Sequence, residues 1–378
     1  MSNTFKQAVK RDQAPFRADH VGSLLRPHSV KEARLQFQNG DITIEQLRSI
    51  EDVEIKKVVE KQKQLGFKAV TDGELRRSWW HFDFLAGLEG VEKVQTNKGY
   101  AFSGVQTKAE AIEINGRIGF SEAHPMLEDF RYLKSVAGEH IAKFTIPSPA
   151  MLHLVAVVRN EQYEPLDMYK ENEDLLQDII QAYQKAIQAF YDAGCRYLQL
   201  DDTSWGGLSS KETRKKYSDR GIDPVQLAKE YVRLINESIK DRPADMIITM
   251  HICRGNFRST WLTSGGYDPV AEELFANAEV DGFFLEYDND RSGDFKPLRY
   301  IKGQQVVLGL ITSKTGELEN REGILKRIEE AAEYVDMNQL CVSPQCGFSS
   351  TEEGNIITEE EQWKKLELVV SIADEVWK

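Results

Sequence analysis

The sequence predicts an α/β protein built as a (β/α)8 TIM barrel, with residues 1–378 forming a single catalytic domain. Three observations predict it. Short apolar strand-like runs alternate with helix-like segments, the rhythm of a parallel sheet with right-handed crossovers. There are eight such runs, the number that closes a barrel. Reactive residue types gather at the carboxyl ends of the runs, the rim that carries chemistry in barrel enzymes. A doubly wound open sheet is the competing arrangement of the same elements.

Residues 16–24 read as the first strand. A helix over 50–65 is closed by Gly66, which supplies the left-handed turn past a helix end. The second strand, 68–71, runs into Asp72-Gly73-Glu74, and the third, 141–146, is stopped by Pro147 and Pro149. Helix 173–193 ends at Gly194 and leads to the fourth strand, 197–200, which meets Asp201-Asp202. Asp223 and Pro224 provide an N-cap and a first helical residue for 223–239. The fifth strand, 246–250, ends in His251-Ile252-Cys253, and Asp268-Pro269 opens the next helix. The sixth strand, 283–285, ends at Glu286, and the seventh is 305–311. A helix over 321–335 precedes the eighth strand, 340–342, which runs to Pro344-Gln345-Cys346-Gly347; helix 359–376 follows. The stretch from about 90 to 140 breaks this rhythm. It reads as an insertion after the second strand, carrying a β-hairpin over 109–120 turned at Asn115-Gly116, a pair suited to tight hairpin turns.

Composition narrows the function. Hydrophobic content of 41% and charged content of 29% are those of a globular protein. The net charge of −13 disfavours nucleic acid and anionic membranes as partners. No run approaches the ~20 apolar residues of a membrane span, and the first residues lack a signal peptide's apolar core, so a cytoplasmic location is expected. Four cysteines in a chain this long do not make a disulfide framework. Cys195 and Cys341 sit in or beside core-like runs and read as packing.

The other two cysteines carry the chemistry. His251 and Cys253 lie two apart at a strand end, so both side chains can point to one side. Glu286 and Cys346 end nearby strands of the same ring. Two thiolates, an imidazole and a carboxylate suit a tetrahedral zinc site. Taken singly, the His-x-Cys pair also reads as a buried histidine with a small apolar filler, and Glu286 as a salt-bridged carboxylate. No Gly-rich dinucleotide fingerprint or phosphate loop is present.

In order along the chain, His251-x-Cys253, Glu286 and Cys346-Gly347 resemble the zinc ligands of the cobalamin-independent methionine synthase family. Val21-Gly22-Ser23 resembles its Ile-Gly-Ser, which holds the homocysteine carboxylate. Asp72-Gly73-Glu74-x-x-Arg77 resembles its His-Gly-Glu-x-x-Arg, and Leu198-Gln199-Leu200-Asp201-Asp202 its Ile-Gln-Ile-Asp-Glu. The resemblance covers about residue 16 to the end and corresponds to the catalytic barrel alone, without the second barrel of long members. It implies a zinc-dependent methyltransferase that activates homocysteine as a zinc thiolate and makes methionine. It also implies metal ligands His251, Cys253, Glu286 and Cys346, and substrate contacts from Ser23, Glu74, Arg77 and Asp201. The methyl donor would be 5-methyltetrahydrofolate or something simpler.

Some segments depart from the family pattern. Asp-Glu-Pro becomes Asp201-Asp202-Thr203, and Trp79-Trp80 replaces Asp-Met. The segment carrying the family's candidate proton-donor histidine becomes Thr312-Ser313-Lys314-Thr315. The sequence does not show which group delivers the proton instead; Asp202 and His81 are the candidates. Short relatives with similar Ser-Lys-Thr segments include zinc enzymes that add coenzyme M to epoxides, so thiol transfer to another electrophile is the alternative. The aromatic run Trp79, Trp80, His81, Phe82 and Phe84 reads as packing or as a stacking face for a flat donor. The basic run 211–216 reads as a solvated helix face.

Overall fold

Seven strands lie side by side in parallel, and their order in space is their order in the chain. The computed structural model describes residues 4–102 and 104–378. In chain order the strands are β1 (Ala69–Val70), β2 (Glu89–Gln95), β3 (Ala101–Phe102), β4 (Val105–Gln106), β5 (Glu110–Gly119) and β6 (Ile141–Pro147). They continue as β7 (Tyr197–Asp202), β8 (Ile247–Ile252), β9 (Gly282–Glu286), β10 (Gln305–Ile311) and β11 (Leu340–Pro344). The main sheet runs β1-β6-β7-β8-β9-β10-β11, with helices in its crossovers. This is an α/β fold with a curled parallel sheet, consistent with a TIM-like barrel. Among the described residues, no helix is long and apolar enough to cross a membrane.

The expected first strand, 16–24, is not a ladder strand but a bent segment with one isolated bridge. On one side Ala18 bridges Val342, and the Val342 amide donates to Arg17 O at 2.8 Å. On the other, the Leu24 amide donates to Gly73 O at 2.9 Å and Thr71 Oγ1 to Gly22 O at 2.7 Å. Residues 17–24 therefore touch both edges of the sheet. A regular ladder fails here because side chains take the carbonyls: Lys143 Nζ donates to His20 O (2.6 Å) and Gln199 Nε2 to Val21 O (2.7 Å).

The insertion also differs from expectation. β5 runs straight through Asn115-Gly116 and pairs antiparallel with β2. The register slips beside Gly90, which sits at φ 72°, where a Cβ would lie 2.4 Å from Arg117 O. Asn-Gly therefore marks a bulge instead of a turn. A smaller antiparallel ribbon, β3 with β4, forms between the two long strands. The insertion ends sooner than 140: Pro125–Ala137 is a helix packed on β6 and belongs to the regular alternation. Likewise the helix expected from residue 50 starts at Ile44, because Thr43 and Gln46 close a capping box.

Alternation along each strand sorts side chains into an outer core under the helices and an inner stack. The inner stack has layers. Ala14, Phe16, Ala69 and Tyr197 form the bottom, and Val21, Phe284, Val307 and Cys341 the middle. Lys143, fully buried, joins that interior by donating to Asp19 Oδ1 at 2.9 Å. Above these, Asp201 lies in register with His251, and Glu286 with Gly309. Strand register thus delivers reactive groups to one end of the sheet.

Candidate metal centre

The four ligand-type residues converge. His251 is the second-last residue of β8, Cys253 lies just past that strand, Glu286 ends β9, and Cys346 lies just past β11. One donor atom from each lies within 4.8 Å of all the others. The Cys253 and Cys346 sulfurs are 3.7 Å apart, and both cysteines are free. His251 Nδ1 lies 3.3 Å from Phe284 O, while its Nε2 is buried with no protein partner. A proton on Nδ1, donated to that carbonyl, leaves the Nε2 lone pair for a metal. Two thiols, a carboxylate and the orphaned nitrogen fit a tetrahedral zinc site.

The electrostatics agree. The hydrogen bond from the Cys253 thiol, then His251, holds Cys346 well below the usual thiol range. The same bond, with burial, pushes Cys253 well up. Burial pulls His251 down, but Cys346, Asp201 and Glu286 outweigh it and raise His251 to about 9. Burial pushes Glu286 up, but Lys314, Arg291 and His251 outweigh it and keep its carboxyl low. The protein thus holds two anions in place, together with protons that a divalent cation would displace. Glu286 is oriented at both oxygens: the Arg254 amide donates at 3.0 Å and Arg291 Nη2 at 2.9 Å.

Beside these ligands lies a cavity of about 280 Å³, lined also by Ser23, Glu74, Trp80, Asp201 and Gly347. Glu74 occupies a left-handed backbone conformation, φ 56°, a strain that concentrates at functional sites. Its Oε1 accepts from Thr145 Oγ1 at 2.8 Å, and its Oε2 is buried without a hydrogen-bond partner. Burial raises Glu74 against the pull of Arg77 and Arg26. Burial also raises Asp201, to about 7. Two carboxylates with spare accepting capacity therefore face the cavity that adjoins the sulfurs. A Cβ on Gly347 would lie 1.9 Å from Ser23 Oγ, so any larger residue here would have to displace the Ser23 hydroxyl.

A second cavity, about 440 Å³, shares Trp80 and Cys253 with the first. Its walls are Trp79, Trp80, His81, Tyr100, Phe102 and Phe257, with Arg159 at one side. The insertion forms part of this wall, with Phe102 against Phe257 at 5.3 Å between ring centres. Trp80 stacks on His81 (4.3 Å, 15°). Phe82 and Phe84 are fully buried in the core, so the aromatic run divides between wall and packing.

Of the residues expected from sequence, Ser23, Glu74 and Asp201 line the first cavity and His81 the second. Arg77 lines neither; its Nη2 donates to Thr145 O (2.7 Å), and Nη1 lies 3.7 Å from Glu74, which it steadies. Asp202 lines neither as well. It is fully buried, bonded to Ser148 Oγ and accepting from the Ser204 amide at 2.6 Å, at the start of helix Ser204–Ser209. Cys195 and Cys341 are buried in the core. Lys211–Asp219 is a helix whose Lys215 and Lys216 pair with Asp219 and Glu212. The sequence reading missed Arg291, Asn256 and Lys314. Asn256 Nδ2 donates to Gly347 O at 2.7 Å, and Lys314 Nζ to Asn256 Oδ1 at 3.2 Å. No local pattern marks these residues; only the Lys314 departure was visible.

Fold and site together define a TIM-like α/β protein with a candidate His/Cys/Glu metal site at its strand ends. The chain belongs to the cobalamin-independent synthase catalytic-domain family, whose model matches residues 16–375. It is 54% identical over 376 residues to the uncharacterized Bacillus subtilis protein YxjG, covering 99% of this chain and 98% of that one. It is 25% identical over 340 residues to the methionine synthase of Saccharolobus solfataricus, covering 87% and 86%. A Listeria monocytogenes structure, described as a candidate vitamin-B12 independent methionine synthase, matches with TM-score 0.80 at 51% identity, covering 97% of this chain and all (100%) of that one.

Proposed function

We propose that this chain is a zinc-dependent methyltransferase that converts homocysteine to methionine. One observation carries the reading: His251, Cys253, Glu286 and Cys346 gather their donor atoms within 4.8 Å beside a cavity holding two carboxylates. Zinc, when bound, would supply the acidity that keeps a substrate thiol deprotonated near neutral pH. Glu74 and Asp201 would take the ammonium of the amino-acid thiol, whose positive charge favours their ionised forms. Ser23 would meet its carboxylate. In the transfer itself the sulfur–methyl bond forms as the donor–methyl bond breaks, the thiol proton is released, and the leaving group takes up a proton. Of the two residues expected to serve that last step, His81 alone lines the second cavity. Burial and Arg159 hold its imidazole far below the usual range, so it is neutral and contacts the leaving group as a hydrogen-bonding partner.

The methyl donor is assigned to the aromatic cavity, as 5-methyltetrahydrofolate or a simpler compound. Coenzyme M transfer fits less well, because a sulfonate would face Glu74 and Asp201 with like charge. The test replaces zinc by cobalt and titrates homocysteine, cysteine and coenzyme M while following thiolate-to-metal absorption. A response to homocysteine at the lowest concentration supports the reading. No response to any thiol ends it, and a preference for coenzyme M selects the alternative.

A further inference from the structure

The aromatic cavity continues into an open groove of about 1250 Å³, with which it shares Tyr100, Arg159 and Leu262. Arg159 stands at the junction. It ends the turn Leu154–Val158, a π-helix, a widened winding often found at functional sites. The π turn follows β6 and Pro149–His153, so Arg159 comes from the same strand-end loops as the rest of the site.

The other cations of this groove are answered. Lys216 pairs with Glu212 at 2.8 Å, and Arg220 Nη1 donates to Val158 O at 2.8 Å. The Arg159 guanidinium has no hydrogen bond or ion pair among the described residues, although Glu161 lines the same groove. Its charge is felt inward: it adds to the lowering that burial imposes on His81 and offsets part of the rise that burial gives Tyr100, two walls of the aromatic cavity. A half-buried, unanswered guanidinium between an aromatic chamber and solvent is the arrangement that recognises an acid group on a ring-bearing ligand.

We propose that Arg159 binds a carboxylate of the methyl-donating substrate, whose flat ring system occupies the cavity between Trp80 and Phe257. The carboxylate lies on the groove side and the transferred carbon on the Cys253 side. Glu161 and Asp219 on the same groove favour a singly charged carboxylate over a doubly charged phosphate. This rests on the methyl-transfer reading, and it excludes small neutral donors.

The test uses zinc-loaded protein and the fluorescence of Trp79 and Trp80. One probe is 5-methyltetrahydrofolate; the other is a methyltetrahydropterin with the same ring and no carboxylate. The intact protein is expected to bind the first roughly tenfold or more tightly than the second, the scale of one charge-assisted bond. Arg159→Met should erase that preference, and Arg159→Lys should keep part of it, with zinc content and the cobalt response to homocysteine unchanged in both. Equal binding of the two probes, a preference that survives in Arg159→Met, or no quenching by either probe overturns the proposal. The homocysteine titration on the same samples judges the thiol reading separately: its failure beside the expected probe behaviour would leave Arg159's role standing.

Discussion

Two chambers meet at Trp80 and Cys253, and they are built by opposite means. The thiol chamber takes its groups from strand ends whose heights are set by ladder register, Asp201 beside His251 and Glu286 beside Gly309. Its oxygens and sulfurs are cross-bonded, and Ser23 crowds Gly347. The aromatic chamber takes its walls from the Trp79–His81 loop, the segment after β8, and an antiparallel ribbon whose Phe102 and neighbouring Tyr100 meet Phe257, Trp79 and Phe82. The four ligand-type side chains thus sit on strand ends fixed by the sheet, and the aromatic walls on loops, which vary more freely; on the proposed reading the metal would take the former and the second molecule the latter.

The sharpest way to break this contrast is to remove one sulfur. Cys346→Ser should weaken zinc binding by roughly a hundredfold or more, one ligand's share of a site worth ~10–16 kcal/mol. Competition with a chelator measures it, and ring-probe binding should not change. The converse is to replace residues 96–109 with a two-residue Asn-Gly turn, since Gln95 and Glu110 already pair. Probe binding should fall by about ten- to hundredfold, the cost of losing one or two ~1 kcal/mol aromatic contacts and their burial. Zinc content should hold.

Within the thiol chamber, Gly347→Ala should raise the homocysteine concentration needed by about tenfold, since overpacking costs ~1–3 kcal/mol. Adding Ser23→Ala should recover part of it, which a cobalt titration of both variants reads. A further effect is on stability. Asp201 is raised to about 7 in the fold, against ~3.9 unfolded. Its protonated form therefore lends stability that is complete below about pH 4 and is lost as pH rises through about 7. In protein stripped of metal, Asp201→Asn should remove about 2 kcal/mol of the fall in stability between pH 5 and 8, seen as a change in denaturant midpoints.

The sequence exposed the thiol chamber better than the aromatic one, for a physical reason. Strand ends are local features, so His251, Cys253, Glu286, Cys346 and Asp201 could each be placed on the rim without knowing its neighbours. The helix 359–376 was equally plain, since Thr358 and Glu361 close its capping box. Arg159 was invisible because a π turn has no sequence period, and Arg291 because its partner Glu286 is met through a loop. Asn115-Gly116 misled because the backbone freedom that makes a hairpin turn also makes a bulge. The first strand misled because apolar content cannot show that Lys143 and Gln199 occupy its carbonyls. Asp202 lies away from both cavities because a strand-end carboxylate can as well turn to bond the first amide of the next helix.

The two sulfurs lie 93 residues apart in the chain. At ~5–20 residues per second of synthesis, roughly 5 to 20 seconds separate the emergence of Cys253 from that of Cys346. During that interval the first thiol waits without its partner, open to oxidants and to stray ions. On the proposed zinc reading, loading of the centre would be a late event coupled to completion of the last strand, and a chain interrupted before β11 would carry three of the four proposed ligands.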